Sequence, residues 1–219
     1  KEYFFNLLKD IQKDYITDDA ILNSLSFGVP QSRERVFVVG FKKSLPVMNN
    51  QEQDYFKFPF FETFRNDKVL KRYQWPMAED FGGNPKKNEK IPEELCVESC
   101  LVADVDLRSI PNADEFFPFK VSEDKLNSIK EGETNRPSFK RLHRFRYSPT
   151  ACYGNNEVHL HPYKNRRISV REALRIQGVP DEYILPKTVS MTKKFKLIGN
   201  GVPVPMAQAV AEAIKKFLT

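Results

Sequence analysis

Lys196-Leu-Ile-Gly-Asn-Gly-Val-Pro-Val-Pro-Met-Ala-Gln-Ala-Val-Ala-Glu-Ala-Ile214 is the stretch whose reading decides the fold. Its spacing predicts a helix that stops at Gly199, an asparagine between two glycines, and a second helix starting at Pro203 or Pro205. The second helix carries Val204, Ala207, Val210, Ala213, Ile214 and Phe217 on one stripe, which must pack on a partner surface. Glycines allow close backbone approach, and the Asn200 amide both donates and accepts hydrogen bonds. The turn is therefore a candidate cradle for a small molecule. No phosphate or nucleotide loop accompanies it, so most of that molecule must be held by something else.

At the opposite end, Phe4, Phe5, Leu7, Leu8 and Ile11 fall at helical spacing and predict an amphipathic helix over residues 2–12. Strand-like runs follow at Tyr15 to Leu22 and Val36 to Phe41, and the second, continuously apolar, is expected to be a buried strand. From about 43 to 165 short aromatic pieces such as Phe56 to Phe60 alternate with Pro, Asn and Gly, which predicts an irregular, partly β segment with long loops. Regularity returns at Ser169-Val-Arg-Glu172, a capping box opening a short helix to about Gln177, and a further short helix is expected from Ser190 to Ile198.

A chain of 219 residues with 40% hydrophobic residues and 18 phenylalanines can bury a core and is not a disordered one. No apolar run approaches the roughly 20 residues a membrane helix needs, and no signal-peptide pattern opens the chain, so a soluble, cytoplasmic protein is expected. Three cysteines, lacking metal-type spacing with the three histidines, point to a reducing compartment and to no metal site. Beginning at Lys1 inside a predicted helix, the sequence reads as a piece of a longer protein.

Charge is unevenly spread. Residues 134–177 hold ten Arg or Lys against Glu157 and Glu172, a balance of +8, whereas residues 91–133 hold eleven acids against four bases, a balance of −7. A basic stretch interleaved with Tyr147, Tyr153 and Tyr163 suits a phosphate backbone, although an ordinary solvated face has the same composition. Its candidates for DNA contact are Arg136, Arg141, Arg144, Arg167 and Arg171, and the acidic stretch is expected to lie away from DNA. Gln31-Ser-Arg33-Glu-Arg35 adds a second group of donors. On an extended backbone Gln31, Arg33 and Arg35 point the same way and could hold a phosphate, a carboxylate or the polar edge of a base; a strand-edge row of salt bridges is the alternative.

Gly28-Val-Pro-Gln-Ser-Arg-Glu-Arg-Val-Phe-Val-Val-Gly40, Ser148-Pro-Thr150, His161-Pro162, Arg167-Ile-Ser-Val-Arg-Glu-Ala-Leu-Arg-Ile-Gln-Gly-Val-Pro-Asp181 and Ile198-Gly-Asn-Gly-Val-Pro-Val-Pro205 together resemble the C-terminal part of a DNA cytosine-5 methyltransferase. The resemblance hardly touches residues 43–135, where that family places its variable target recognition domain. It implies an α/β fold: the C-terminal part of a Rossmann-like, S-adenosylmethionine-dependent methyltransferase sheet with an inserted, irregular, partly β recognition domain. The implied division is 1–45 for the last catalytic strands and a helix, 46–165 for target recognition, and 166–219 for helices closing back on the catalytic domain.

The resemblance also assigns roles. Arg35 is expected at the O2 of the flipped cytosine, Arg33 to brace the site's acid and backbone, and Gln31 and Arg33 to reach the DNA. Asn200, with Gly201 and Val202, is expected to line the S-adenosylmethionine pocket; Gly201 stands where the family has Ser or Ala. Arg167, Arg171 and Arg175 match a motif that supports the recognition domain, an architectural role that stands beside the DNA contact suggested by charge.

The nucleophilic Pro-Cys pair, the Glu-Asn-Val acid and the Phe-x-Gly-x-Gly cofactor loop of the family are not found: Cys96 follows Leu95, Cys100 follows Ser99 and Cys152 follows Ala151. Asp80-Phe-Gly-Gly-Asn84 reads as a loop. The expected partners are duplex DNA and the missing N-terminal catalytic half, in cis or as a separate chain, with self-association of a fragment whose apolar faces lack their cover. A stand-alone DNA-binding module and a natural subunit of a split enzyme are the alternatives. The chain alone is expected to be inactive and to bind cofactor weakly or not at all.

Overall fold

Tyr15–Asn23 (β1) and Glu34–Lys42 (β2) pair antiparallel, from Tyr15 opposite Lys42 to Asn23 opposite Glu34, and are the two strands of the sheet among the described residues. The computed structural model describes residues 2–48, 58, 69–119, 121–151, 153 and 157–219. Ahead of the hairpin lies α1 (Glu2–Ile11), the amphipathic helix expected there. Side chains alternate across a strand, so the hairpin has two faces. Ala20, Leu22, Val39 and Phe41 form one face and pack with Met48, Phe58 and the C-terminal helix residues Met206, Val210 and Ala213. On the other face Ile21 is 63% exposed, Val36 52% and Val38 38%. The expectation of a fully buried second strand is thus corrected: its apolar run continues onto a face that no described element covers.

The helices α2 (Val69–Arg72) and α3 (Glu123–Asn127) are short; α4 (Val170–Ile176), α5 (Met191–Asn200) and α6 (Val204–Leu218) complete the chain. The α4 helix opens on the predicted capping box: Ser169 accepts from the Glu172 amide, and the Glu172 carboxylate accepts from the Ser169 amide at 2.7 Å. Helix α5 passes through Gly199, where a stop was expected, to Asn200; the Gly201 amide then closes it on the carbonyls of Leu197 and Ile198. Gly199 serves close approach instead: a Cβ there would stand 3.2 Å from the Ala151 carbonyl oxygen and 3.3 Å from the Tyr153 nitrogen.

A second core joins Val97, Cys100, Leu142 and Val158 to Ala173, Leu174 and Ile176 of α4 and to Phe195 and Ile198 of α5. Residues on both sides of position 165 share it, so the expected boundary there divides the sequence without dividing the packing. The described part of residues 43–165 contains no strand. Single bridges such as Glu79 with Glu131 and Arg141 with Leu160 replace the partly β structure expected. Side chains take over the role of ladders there, most visibly Arg141, which donates to the carbonyls of Leu126, Ile129, His161 and Lys164. Of the aromatic piece at residues 56–60 only Phe58 is among the described residues, its ring 6.2 Å from that of Phe41. No helix among the described residues is long and apolar enough to cross a membrane, and no group of His, Cys, Asp and Glu there could hold a metal ion.

Candidate functional site

The loop entering β2 is zipped to a distant segment. The Ser32 amide donates to the Ser148 carbonyl at 2.9 Å, the Ser148 amide to the Pro30 carbonyl at 2.8 Å, and Thr150 Oγ1 to the Ser32 carbonyl at 2.8 Å. Arg33, fully buried, extends the junction by donating to the carbonyls of Gly199 at 2.6 Å, Gly201 at 2.9 Å and Ala151 at 3.4 Å. One guanidinium therefore joins segments separated by 118 to 168 residues. The backbone bracing expected of Arg33 is directed at the Gly-Asn-Gly turn.

Gln31, Arg33 and Arg35 do not form a displayed row of donors. Strand β2 begins only at Glu34, and the preceding loop is covered by residues 148–151, so Gln31 and Arg33 are sealed inside. Both amide atoms of Gln31 are buried without a hydrogen-bond partner among the described residues. Arg35 is half-buried on the strand itself, and its guanidinium donates to the Glu34 carbonyl at 2.5 Å. Of the three it alone keeps solvent exposure.

Two cavities flank the Arg33 junction. The first, 280 Å³, is mainly apolar and is lined by Leu174, Gln177, Val179, Tyr183, Gly201 and Val202 among others. Gln177 donates through Nε2 to the Ile198 carbonyl, while its Oε1 is buried without a partner. Beside it in sequence, between the lining residues Gln177 and Val179, Gly178 has a φ of 68° and a contact with Pro205 that exclude a side chain: a Cβ would fall 2.5 Å from the proline Cδ. Of the residues expected at a cofactor, Gly201 and Val202 line this cavity, and Asn200 is exposed at the end of α5. The second cavity, 310 Å³, is polar and is bounded by Ser32, Thr134, Arg146, Tyr147, Pro149 and Thr150. Arg146 donates to the Tyr147 hydroxyl at 3.4 Å and has no carboxylate within 4 Å among the described residues. Arg146 was counted in the basic stretch, but nothing in its spacing set it apart from its neighbours.

The basic stretch does not form a displayed stripe; the acidic stretch folds against it. Arg144 binds Glu131 at 2.7 Å, Arg136 binds Glu133 at 2.9 Å and Lys164 binds Asp104 at 2.5 Å. Arg166 grips Glu172 with two nitrogens, each at 2.7 Å, beneath the capping box. Arg141 and Arg171 are fully buried, and Arg171 donates to the carbonyls of Pro111, Pro180 and Tyr183. Burial pushes the Arg141 guanidinium down to about 10, which leaves it charged at neutral pH. Arg167 donates to the Val158 carbonyl beside the rings of Phe119 and Phe139. The expectation that Arg171 faces outward while its helix packs is thereby corrected, and Arg141, Arg144 and Arg171 take architectural positions. Three of the ten bases thus pair with acids of residues 91–133, Arg166 pairs with Glu172 and Arg171 and Arg175 with Asp181, while Arg146 keeps no carboxylate partner among the described residues.

Both described cysteines are buried thiols. Burial pushes the Cys96 thiol up to about 11 and that of Cys100 up to about 12, so both stay protonated at neutral pH. Cys152 lies outside the described residues.

A profile described as C-5 cytosine-specific DNA methylase matches residues 2–216. The type II methyltransferase M.NmeDI of Neisseria meningitidis serogroup C is 40% identical over 220 residues, which are 98% of this chain and 50% of that protein. M.FnuDI of Fusobacterium nucleatum is 28% identical, over 97% of this chain and 60% of its own. The chain thus spans about half the length of the curated relatives it matches. Among solved structures, a prophage-encoded E. coli chain described as a DNA modification methyltransferase superposes with a TM-score of 0.60 at 23% identity, over 99% of this chain and 64% of that one, a likeness of fold.

Proposed function

The chain belongs to the C-5 cytosine-specific DNA methylase family, and from that premise we propose that it forms the C-terminal part of an enzyme that moves a methyl group from S-adenosylmethionine to C5 of a cytosine flipped out of duplex DNA. The observation that carries this reading is the Arg33 junction, where the loop before β2, the Ser148–Ala151 segment and the Gly199–Gly201 turn are drawn together between an apolar and a polar cavity. In the proposal β1 and β2 are the last strands of a Rossmann-like sheet, residues 46–165 carry target recognition, and α6 returns to the catalytic side.

The cavity residues fit part of an S-adenosylmethionine molecule, because the wall is apolar and the Gln177 Oε1 acceptor lies in it unpaired. Gly201, Val202 and the Gln177 amide would hold it, with Asn200 at the rim; when bound, the molecule supplies a methyl group on a cationic sulfur. Arg33 holds the two cavity walls in register through the carbonyls it binds. Arg35, the less buried arginine, donates to the cytosine O2. Ser32, Thr150 and Arg146 line a polar recess sized for a backbone phosphate. The attacking thiolate comes from the complementary half, since Cys96 and Cys100 are held protonated and none of Cys96, Cys100 and Cys152 follows a proline.

The uncovered face of the hairpin, with Phe5 58% and Leu7 44% exposed on α1, supports docking of a complementary catalytic half and self-association when that half is missing. The proposed setting is the cytoplasm of a cell that carries a restriction-modification system. The test is transfer of labelled methyl to duplex DNA by this chain, alone and mixed with a complementary N-terminal polypeptide. Transfer only by the mixture is expected; transfer by the chain alone would overturn the assignment of the thiolate. Duplex binding with no transfer in either sample would instead favour a binding module. In the active mixture, Arg35→Ala is expected to reduce transfer far more than nonspecific DNA binding.

A further inference from the structure

With Arg136, Arg144, Lys164 and Arg166 each held by an acid and Arg141 and Arg171 buried, a further surface is needed to read DNA beyond the Arg146 recess. We propose that it is the pair of adjoining clefts walled by Gln74, Trp75, Asn84, Lys86, Asn88 and Lys90, whose lysines contact phosphates and whose Gln74 and Asn84 amides read base edges in the major groove; this rests on the reading of the chain as part of a duplex-DNA methyltransferase. The clefts measure 590 and 480 Å³ and share Gln74 and Asn88. Between them the Asn88 side chain donates to the Gln74 carbonyl at 3.1 Å. Together they make a long, open concavity, a shape suited to a polymer rather than to an enclosed small molecule.

Its charge is available. Lys86 and Lys90 are exposed and have no carboxylate within 4 Å among the described residues, and Lys87 lies 3.8 Å from an exposed Glu93 oxygen. This contrasts with Arg136, Arg144, Lys164 and Arg166, each in contact with an acid. Gln74 and Asn84 present exposed amides, the side-chain type that pairs with adenine in the major groove, and Glu79 on one wall is an acceptor suited to the cytosine amino group.

The floor is rigid. The Tyr73 and Trp75 rings meet edge to face at 5.7 Å, and those of Trp75 and Tyr147 at 4.7 Å, over a small core of Leu25, Val69 and Leu95. The Trp75 indole donates to the Leu70 carbonyl at 3.1 Å. Tyr147 also bounds the polar cavity with Ser32 and Arg146, so a continuous aromatic row runs from the clefts to the Arg33 junction. A base pair read on Gln74 and Asn84 would thus sit on the same rigid frame as the pocket for the target base.

Trp75 is the chain's single tryptophan, so its fluorescence reports directly on the clefts. The experiment titrates the chain with random-sequence duplex DNA at several salt concentrations and compares it with a Lys86→Gln/Lys90→Gln variant. Exposed Lys187 and Lys193, changed to Gln together, serve as the control. Loss of two phosphate contacts should reduce the slope of log affinity against log salt by about 1.8 and affinity at 0.1 M salt by about 60-fold, with the control unchanged. Gln74→Ala should weaken discrimination between duplex sequences and leave the slope as it was. Duplex binding with affinity and slope of the cleft variant within twofold of the parent overturns the cleft assignment and leaves the methyltransferase reading standing. Absence of any duplex binding by the parent overturns both.

Discussion

Removing the Arg33 side chain should cost the fold more than any other single change at the junction. Arg33→Ala strips the Gly199 and Gly201 carbonyls of donors at 2.6 and 2.9 Å and the Ala151 carbonyl of a longer one, inside a site with no solvent exposure. A hydrogen bond from a charged donor contributes about 1.5–3 kcal/mol, and breaking a buried charged network costs about 3–5 kcal/mol. The two short bonds together therefore suggest a loss of about 3–5 kcal/mol, a large share of the roughly 5–15 kcal/mol typical of a domain. Arg33→Lys retains the charge, but a single ammonium lacks the planar fork that spans the carbonyls, so a loss of about 2 kcal/mol is expected. Urea unfolding followed by Trp75 fluorescence gives the midpoint and slope of each variant. The reasoning requires the midpoint to fall in the order parent, Lys, Ala with the slope unchanged. An Ala variant within about 1 kcal/mol of the parent would refute it, because the carbonyls would then have found other donors at little cost.

Acid should weaken the fold through its buried histidines. Burial pushes His159 down to about 3 and His161 to about 2, both far below the ordinary value near 6.5 that the unfolded chain regains. The unfolded state therefore binds the extra protons, and stability present above pH about 6.5 is lost as pH falls toward the folded values. Between about pH 7.5 and 5.5 the two groups account for about 2–3 kcal/mol, opposed in part by the raised Glu98 carboxyl; an unfolding midpoint in urea that is flat or higher at the lower pH would contradict this. Gly178→Ala should destabilise by at least about 1–2 kcal/mol, because a φ of 68° and the Pro205 ring both oppose a Cβ; equal thermal midpoints would show that α6 moves aside freely. Cys96 and Cys100 should resist thiol reagents in the folded chain at mild alkaline pH and react after unfolding, as counted by labelled-peptide mass; rapid labelling of either in the native state would contradict the burial assigned to them.

Local signals were readable and contact signals were not. The capping box at Ser169 and Glu172 works within four residues, so the sequence alone located α4. The strand-like runs likewise marked β1 and β2, but neither their pairing nor that only one face would be covered, since the cover on that side is α6 from the far end of the chain. Charge misled for a similar reason. A run of ten basic residues looks like a DNA surface when counted along the chain, yet the adjoining acidic run is its partner in space: Glu131 meets Arg144 and Asp104 meets Lys164.

Gly199 and Arg33 carry the same lesson into the site. The glycine's lack of a side chain was read as room for a ligand, whereas it is room for the Ala151–Tyr153 backbone; Arg33, expected both to brace backbone and to reach DNA, donates to the carbonyl of that same glycine. A motif residue can thus serve a binding site by fixing the backbone behind it. The distinction predicts which positions tolerate exchange. Gly201 holds an ordinary extended backbone with φ −63° and ψ 157°, and the nearest atom to an added Cβ is the Ile198 carbonyl oxygen at 3.3 Å. Gly201→Ala should therefore lose less than Gly199→Ala, whose Cβ meets two backbone atoms of the separate 151–153 segment and must shift α5 by a few tenths of an ångström at the carbonyl Arg33 holds. Equal losses in the two variants would mean that the turn, and not the Arg33 junction, sets the position of α5.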